Sequence, residues 1–248
     1  MRIHIIACRV FTREISYYAA LSPHTVDVTW LPQGLHDTPD ALRRMLQEAV
    51  DGVHDQVEKN LLKHRPDVIA LGYGLCSNGV VGLTTKDIPL VIPRTDDCIA
   101  LFLGSQKRYL QLFERMNGTY WLNNGWIESS GTLVQQRETE QQRWQKYAEK
   151  YGEDNADYLI EQEGAWVSHY NTCAFIHSGV YESTEFVETA MRAARENSWG
   201  FEEVPGDTRM IKALCEGSWN DQEYLTLLPG QRVAADYTGK KIHAEVIA

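Results

Sequence analysis

The run Val68-Ile69-Ala70-Leu71 has no polar residue on either of its alternating faces, and it is bounded by Arg65-Pro66 before it and a glycine-rich loop after it. A strand that is apolar on both faces needs cover on both faces, which places it inside a parallel sheet with helices above and below. That one segment narrows the chain to α/β architectures.

The surrounding sequence supplies the other layers. Ile3-His4-Ile5-Ile6-Ala7 is a first strand that stops at Cys8-Arg9, and the VDVTWL segment at 26–31 is a second that ends at Pro32-Gln33-Gly34. Thr38 is placed to cap a helix begun by Pro39, with Asp40 near the positive end of its dipole. Leu42, Met45, Leu46, Ala49, Val53, Val57 and Leu61 recur at helical spacing and predict a helix to about residue 64. Leu90-Val91-Ile92-Pro93 is a further strand, followed by Arg94 to Cys98 and an apolar helix start. A short helix to about 116 leads into the strand at GTYWL, and residues 135–163 are expected as bridging helices. From 171 the alternation resumes with strands NTCAFIH and GFEEV around a helix at 183–196, then a helix near 207–215 and the strand EYLTLL. A tail after Pro229-Gly230 is expected to pack back across the domain. The predicted fold is α/β, with mainly parallel sheets and flanking helices arranged as two Rossmann-like lobes, 1–128 and 129–248. A single large sheet is the alternative.

Charge excludes some partners. A formal net charge of -10, with no basic run to offset it, repels phosphate backbones, so nucleic acid is not an expected partner. No apolar run approaches the roughly 20 residues that cross a bilayer, and the opening segment lacks a secretory pattern; a cytoplasmic protein with no membrane contact is expected. A small anion captured by Arg9 or Arg94 stays compatible with the charge.

In that compartment the five cysteines, an odd number spread widely, read as buried, catalytic or metal-binding rather than as disulfides. An arbitrary free cysteine is most often a small core residue. Cys8, Cys76 and Cys98 differ because each follows a predicted strand of the first lobe, at the edge where parallel sheets bind their ligands. Three cysteines converging there point to a shared metal site. Cys98 falls in the first turn of a helix, but Asp96 and Asp97 beside it oppose a bare thiolate, whereas a cation would stabilise thiolates and carboxylates together. An uncoordinated redox set is the remaining reading of the same residues.

Between two of these cysteines' strands, GYGLCSNGVVGL offers a loop whose backbone can approach a ligand. Gly74, Asn78 and Gly79 are the candidate contacts there, with Arg94 beyond the next strand. Plain turn geometry explains the glycines equally well. The loop matches neither GxGxxG nor a P-loop, and no GxSxG, HExxH or EF-hand pattern is present. His4 reads as a core histidine, and His36 as a residue of a wet loop sooner than one that reaches the site. His169, His177 and Cys173 are candidates for the facing wall of a cleft, while Cys215 reads as structural.

HDTPDALRRMLQEAVD, YGLCSNGVVGL, LVIPRTDDCIALFLGS, GTYWLNNGW, FEEVPGDTRMIKALCEGSW and LLPGQRV together resemble the DUF1638 family, a domain of unknown function. Its motif carries a histidine before Asp-Cys, where this chain has Asp96. The family is associated with corrinoid proteins and one-carbon methyl transfer, and the resemblance implies a corrinoid or methyltransferase protein as partner. With three cysteines, the implied chemistry is a zinc or similar divalent ion that activates a small thiol for methyl transfer. Two alternatives stay open: a [4Fe-4S] cluster with one open iron, and a non-enzymatic chaperone that delivers metal or corrinoid.

Overall fold

The computed structural model describes residues 1–130 and 133–247, with the side chains of 130, 133–139, 163 and 166 outside the described set. The elements in the first half are β1 (Arg2–Cys8), α1 (Thr12–Leu21), β2 (Thr25–Leu31), α2 (Pro39–Glu58), β3 (Val68–Gly72), β4 (Leu90–Pro93), α3 (Cys98–Phe102), α4 (Gln106–Arg115), β5 (Thr119–Leu122) and α5 (Asn124–Ser130). The remainder comprises α6 (Leu133–Tyr151), α7 (Glu153–Gly164), β6 (Thr172–His177), α8 (Thr184–Glu196), β7 (Gly200–Pro205), α9 (Arg209–Glu216), β8 (Tyr224–Leu227), β9 (Gln231–Asp236) and β10 (Lys241–Val246).

The fold is α/β, with parallel sheets flanked by helices. The larger sheet has the order β2-β1-β3-β4-β8; its first four strands are parallel and β8 pairs antiparallel to β4. The chain moves outward from β1 to β2, then crosses to the other side of β1 to lay down β3 and β4. Strand order therefore reverses between β1 and β3, which creates a crevice at their carboxyl ends. A second parallel sheet, β5-β6-β7, and the antiparallel hairpin β9-β10 complete the strands.

Burial follows the apolar pattern. All five residues of β3 are buried, as its unbroken sequence requires, and Ile3, Ile5 and Ile6 of β1 are fully enclosed beside it. Each such aliphatic side chain contributes about 1.5–3 kcal/mol relative to exposure. Helix α2 lays Leu42, Leu46, Val50 and Val53 into this core. It stops at Glu58, short of the predicted end, because Asn60 adopts φ 52° and the amides of Asn60 and Leu61 turn back onto the carbonyls of Val57 and Gln56. Those paired bonds are the signature of a left-handed helix stop. Thr38 precedes α2 as expected, but its side chain forms no capping bond.

Sheet membership does not follow chain position. β5 pairs with β6 across some fifty intervening residues, and β8 from the last tenth of the chain closes the first sheet. Trp121, Ala174, Ile176 and Val204 of the second sheet share one continuous core with β1, β3 and β4. The other face of that sheet has its own small cluster, built from Tyr120, Leu122, Cys173 and Phe175 with Ala190 and Ala194 of α8. The expected bridging helices are α6 and α7, pinned by the Trp144 indole donating to Asp157 at 2.7 Å. Neither α1 nor the hairpin is marked by a clear apolar pattern in the sequence. α1 docks on α9, where the Ser22 hydroxyl donates to the Cys215 carbonyl at 2.7 Å and Tyr18 and Thr208 share a hydroxyl contact of 2.6 Å.

Candidate functional site

Three strand ends build the site at the crevice. Cys8 is the last residue of β1, Cys76 lies four residues beyond β3, and Cys98 opens α3 after β4. Two main-chain bonds lace the second and third segments together: the Leu75 amide donates to the Thr95 carbonyl (2.7 Å) and the Cys76 amide to the Asp96 carbonyl (2.8 Å). Gly74 makes this contact possible, since a Cβ there would lie 2.6 Å from Thr95 Oγ1 and 2.8 Å from its carbonyl oxygen.

Beyond the lacing, Cys76, Ser77 and Asn78 all take left-handed conformations, with φ of 45°, 56° and 68°. A left-handed turn costs roughly 1–2 kcal/mol per non-glycine residue, so three in succession need external support. The Gly79 amide closes the turn onto the Cys76 carbonyl (3.0 Å), and Arg43 of α2 reaches the Asn78 carbonyl (3.3 Å). Gly79 itself is pressed on α2, where a Cβ would meet Leu42 Cδ2 at 2.4 Å. Strain of this kind concentrates where a binding site fixes the backbone.

The Cys98 segment is anchored from two sides. Asp97 caps α3 by accepting from the amides of Ile99 (2.9 Å) and Ala100 (3.3 Å), and its second oxygen accepts from the Tyr109 hydroxyl (3.2 Å). Asp96 is held by Gln106 (2.6 Å) and by Lys241 of β10 (2.7 Å). On the Cys8 side the chain enters a short 3-10 turn, Arg9–Phe11, against which α5 packs. Gly125 permits that approach, because a Cβ would fall 1.8 Å from the Val10 carbonyl oxygen; Trp126 is thereby set beside the cavity.

All three cysteines line one cavity of about 450 Å³. Phe11, Leu35, Leu75, Ile99 and Trp126 give it apolar walls, and Gln33, His36, Ser77 and Asn78 bring polar groups to it. Burial pushes every one of these thiols up. Cys76 reaches about 12, with Asp97 and Cys8 adding to the effect of burial. Cys98 is driven well above the usual thiol value by burial, then by Asp97, Cys76 and Cys8. Burial raises Cys8 too, opposed by the Val10 amide and the Tyr73 hydroxyl. Tyr73, only 4% exposed, feels all three sulfurs; its hydroxyl lies near Cys8 without the alignment of a formed hydrogen bond. Among the described residues no three His, Cys, Asp or Glu side chains stand ready to grip a metal ion, and all five cysteines are free thiols. The cysteines are thus convergent but not closed around a common centre.

Of the other residues singled out by sequence, Asn78 lines the cavity, whereas Gly74, Gly79 and Arg94 do not. The two glycines serve loop packing, as their missing Cβ contacts show. Arg94 is turned away to the carbonyls of Tyr224 (3.2 Å), Lys240 (3.4 Å) and Ile242, tying β8 and the hairpin to β4. His36 sits at the cavity with its ring 5.7 Å from that of Trp126, rather than merely in a wet loop. His4 is a satisfied core residue, bonded to Thr29 at 2.8 Å. Neither His169, His177 nor Cys173 lines this cavity; His177 is clamped between Glu182 (2.7 Å) and Glu203 (2.8 Å). Sequence reasoning passed over Gln33 and Tyr73, and it left Trp126 between core packing and the lining of a cavity. The strand-end rule that found the cysteines applied equally to Gln33 after β2 and Tyr73 after β3, while Trp126 depends on how α5 docks.

A family described as "Protein of unknown function (DUF1638)" matches residues 30–215. The chain belongs to the DUF1638 family. The matched segment contains Cys76 and Cys98, and Cys8 lies outside it. No curated protein and no solved structure matches the chain. Among the described residues, no helix of this DUF1638 protein is long and apolar enough to cross a membrane.

Proposed function

We propose that the protein binds one soft divalent metal ion, zinc or a chemical relative, through the thiolates of Cys8, Cys76 and Cys98, and presents it to a small thiol admitted to the cavity. The observation that carries the proposal is convergence: three cysteines far apart in sequence, on three separate strand ends, line a single cavity at the switch point of a doubly wound sheet. Thiolates are the preferred donors of such ions.

Electrostatics favours a cation here. Burial, Asp97 and the mutual repulsion of the sulfurs all oppose bare thiolates, so an uncoordinated nucleophile is poorly served by this environment. A bound divalent ion reverses that balance and would hold a substrate sulfur as thiolate at its remaining position. Apolar side chains form much of the cavity wall, and the laced loops hold two of the three donors in register. Methyl transfer to the thiol is the reaction class suited to this arrangement, in partnership with a corrinoid or methyltransferase protein.

Metal analysis of anaerobically purified protein, with its ultraviolet-visible spectrum, tests the proposal. Colourless protein with one divalent ion per chain, and sulfur-to-metal charge-transfer bands after cobalt substitution, is the expected result. A brown protein with visible absorption would replace the single ion by an iron–sulfur cluster on these cysteines. Protein that neither retains nor takes up metal would overturn both. Turnover with a methyl donor separates an enzyme from a metal or corrinoid carrier.

A further inference from the structure

The charge of the cavity lining restricts what can share it with the cysteines. Among the described residues, no lysine or arginine lines it, whereas Asp96, Asp97 and three thiols do. Three nearby cations are committed elsewhere, Arg94 to the carbonyls of Tyr224, Lys240 and Ile242, Lys241 to Asp96, and Arg43 to Asp40 and the Asn78 carbonyl, while Arg9, next to Cys8, is exposed and does not line the cavity. A carboxylate, sulfonate or phosphate buried here would find no lysine or arginine among the described lining residues, and the charge of a bound divalent ion would already be outweighed by three thiolates, so the sulfurs and Asp97 make the placement unfavourable for an anion. The acceptor side of the wall is better provided. Gln33 lines the cavity and its Oε1 is buried without a hydrogen-bond partner, so an N–H or O–H group of a ligand that reached it would satisfy a buried acceptor.

We infer that the cavity selects small thiols whose remainder is uncharged or cationic, excludes those with an anionic tail, and uses Gln33 to read a hydrogen-bond donor on the ligand. This rests on the proposed metal–thiol function and narrows its substrate class, against the small anion that composition alone allowed. Asn78 and Ser77, on the strained turn, face the same space and supply further polar contacts. Gln33 is a specificity residue in this scheme and takes no part in bond making.

The test is titration of cobalt-loaded protein with 2-mercaptoethanol, cysteamine and 3-mercaptopropionate, followed by the cobalt–thiolate absorption. Each affinity is corrected for the thiol's own acidity. The neutral and cationic thiols are expected to bind at least about tenfold more tightly than the anionic one, a step of about 1.4 kcal/mol. Gln33→Leu should weaken 2-mercaptoethanol by about fivefold, the loss of one ordinary hydrogen bond, and leave 1-propanethiol unchanged. Leu35→Lys, which adds a cation to the wall, should bring 3-mercaptopropionate level with 2-mercaptoethanol. Equal or tighter binding of 3-mercaptopropionate by the unaltered protein would overturn the inference. If cobalt gives no thiolate bands, the metal proposal fails instead; thermal shifts of metal-free protein with the same thiols then report the cavity's charge preference, and stabilisation by the anionic thiol would overturn it independently.

Discussion

Replacing Gly74 by alanine should separate the two loops that carry Cys76 and Cys98. The added Cβ would lie 2.6 Å from Thr95 Oγ1, 2.8 Å from the Thr95 carbonyl oxygen and 2.9 Å from the Asp97 amide nitrogen. Two of these atoms are main chain, and Thr95 is fully buried, so no side-chain rotation relieves the contact. Overpacking of this kind costs about 1–3 kcal/mol. The displaced loop also weakens the Leu75–Thr95 and Cys76–Asp96 bonds, each worth about 0.5–1.5 kcal/mol. The expected loss is about 2–6 kcal/mol. At roughly 2–4 °C per kcal/mol for a chain of this size, melting should fall by about 4–24 °C, read by circular dichroism. Gly52 gives the opposite sign: it lies inside α2, and a Cβ added there would meet nothing within 4 Å, so Gly52→Ala should raise stability by about 0.5–1 kcal/mol. Metal affinity should drop for Gly74→Ala and stay unchanged for Gly52→Ala. A Gly74→Ala protein that melts and binds metal like the wild type would refute the lacing of the two loops.

Glu14 is 1% exposed and one of its oxygens has no partner; burial raises its pKa, opposed mainly by the Ser178 hydroxyl. A carboxyl with a raised folded-state pKa contributes fully below its unfolded value and loses stability as pH rises toward the folded value, so urea unfolding should show Glu14→Gln gaining more at pH 7 than at pH 4. Equal gains at both would remove burial of the charge as the cause. Cys173 and Cys215 are fully buried away from the cavity, so their serine variants should keep wild-type metal content while losing about 1–3 kcal/mol for a buried hydroxyl. Metal loss confined to Cys173→Ser would shift the site to the second sheet.

Apolar runs such as Val68–Leu71 and Leu90–Pro93 made the parallel strands legible, because a doubly covered strand has no polar alternation to confuse with a surface helix. The partner of each strand was not legible: β8 reaches β4 from more than a hundred residues away, and nothing local in Tyr224–Leu227 encodes its antiparallel direction. The hairpin β9-β10 was hidden by its mixed composition, with charged residues on the face that Val233 and Ile242 do not bury. The cysteines were found because strand ends in a parallel sheet share one edge whatever the pairing order. Arg94 was misleading for the reason β8 was, since its acceptors are carbonyls distant in sequence. Gly74 and Gly79 carry the same signal whether a ligand or a neighbouring loop approaches, and only the positions of Thr95 and Leu42 distinguish the two.

The most direct measurement of the central claim is the X-ray absorption fine structure of the metal in protein purified without oxygen, taken for the wild type and for single serine variants at Cys8, Cys76 and Cys98. The account predicts three sulfur scatterers at about 2.3 Å in the wild type, with one fewer or no bound metal in each variant. A first shell of nitrogen and oxygen alone, or an unchanged sulfur count in all three variants, would contradict it.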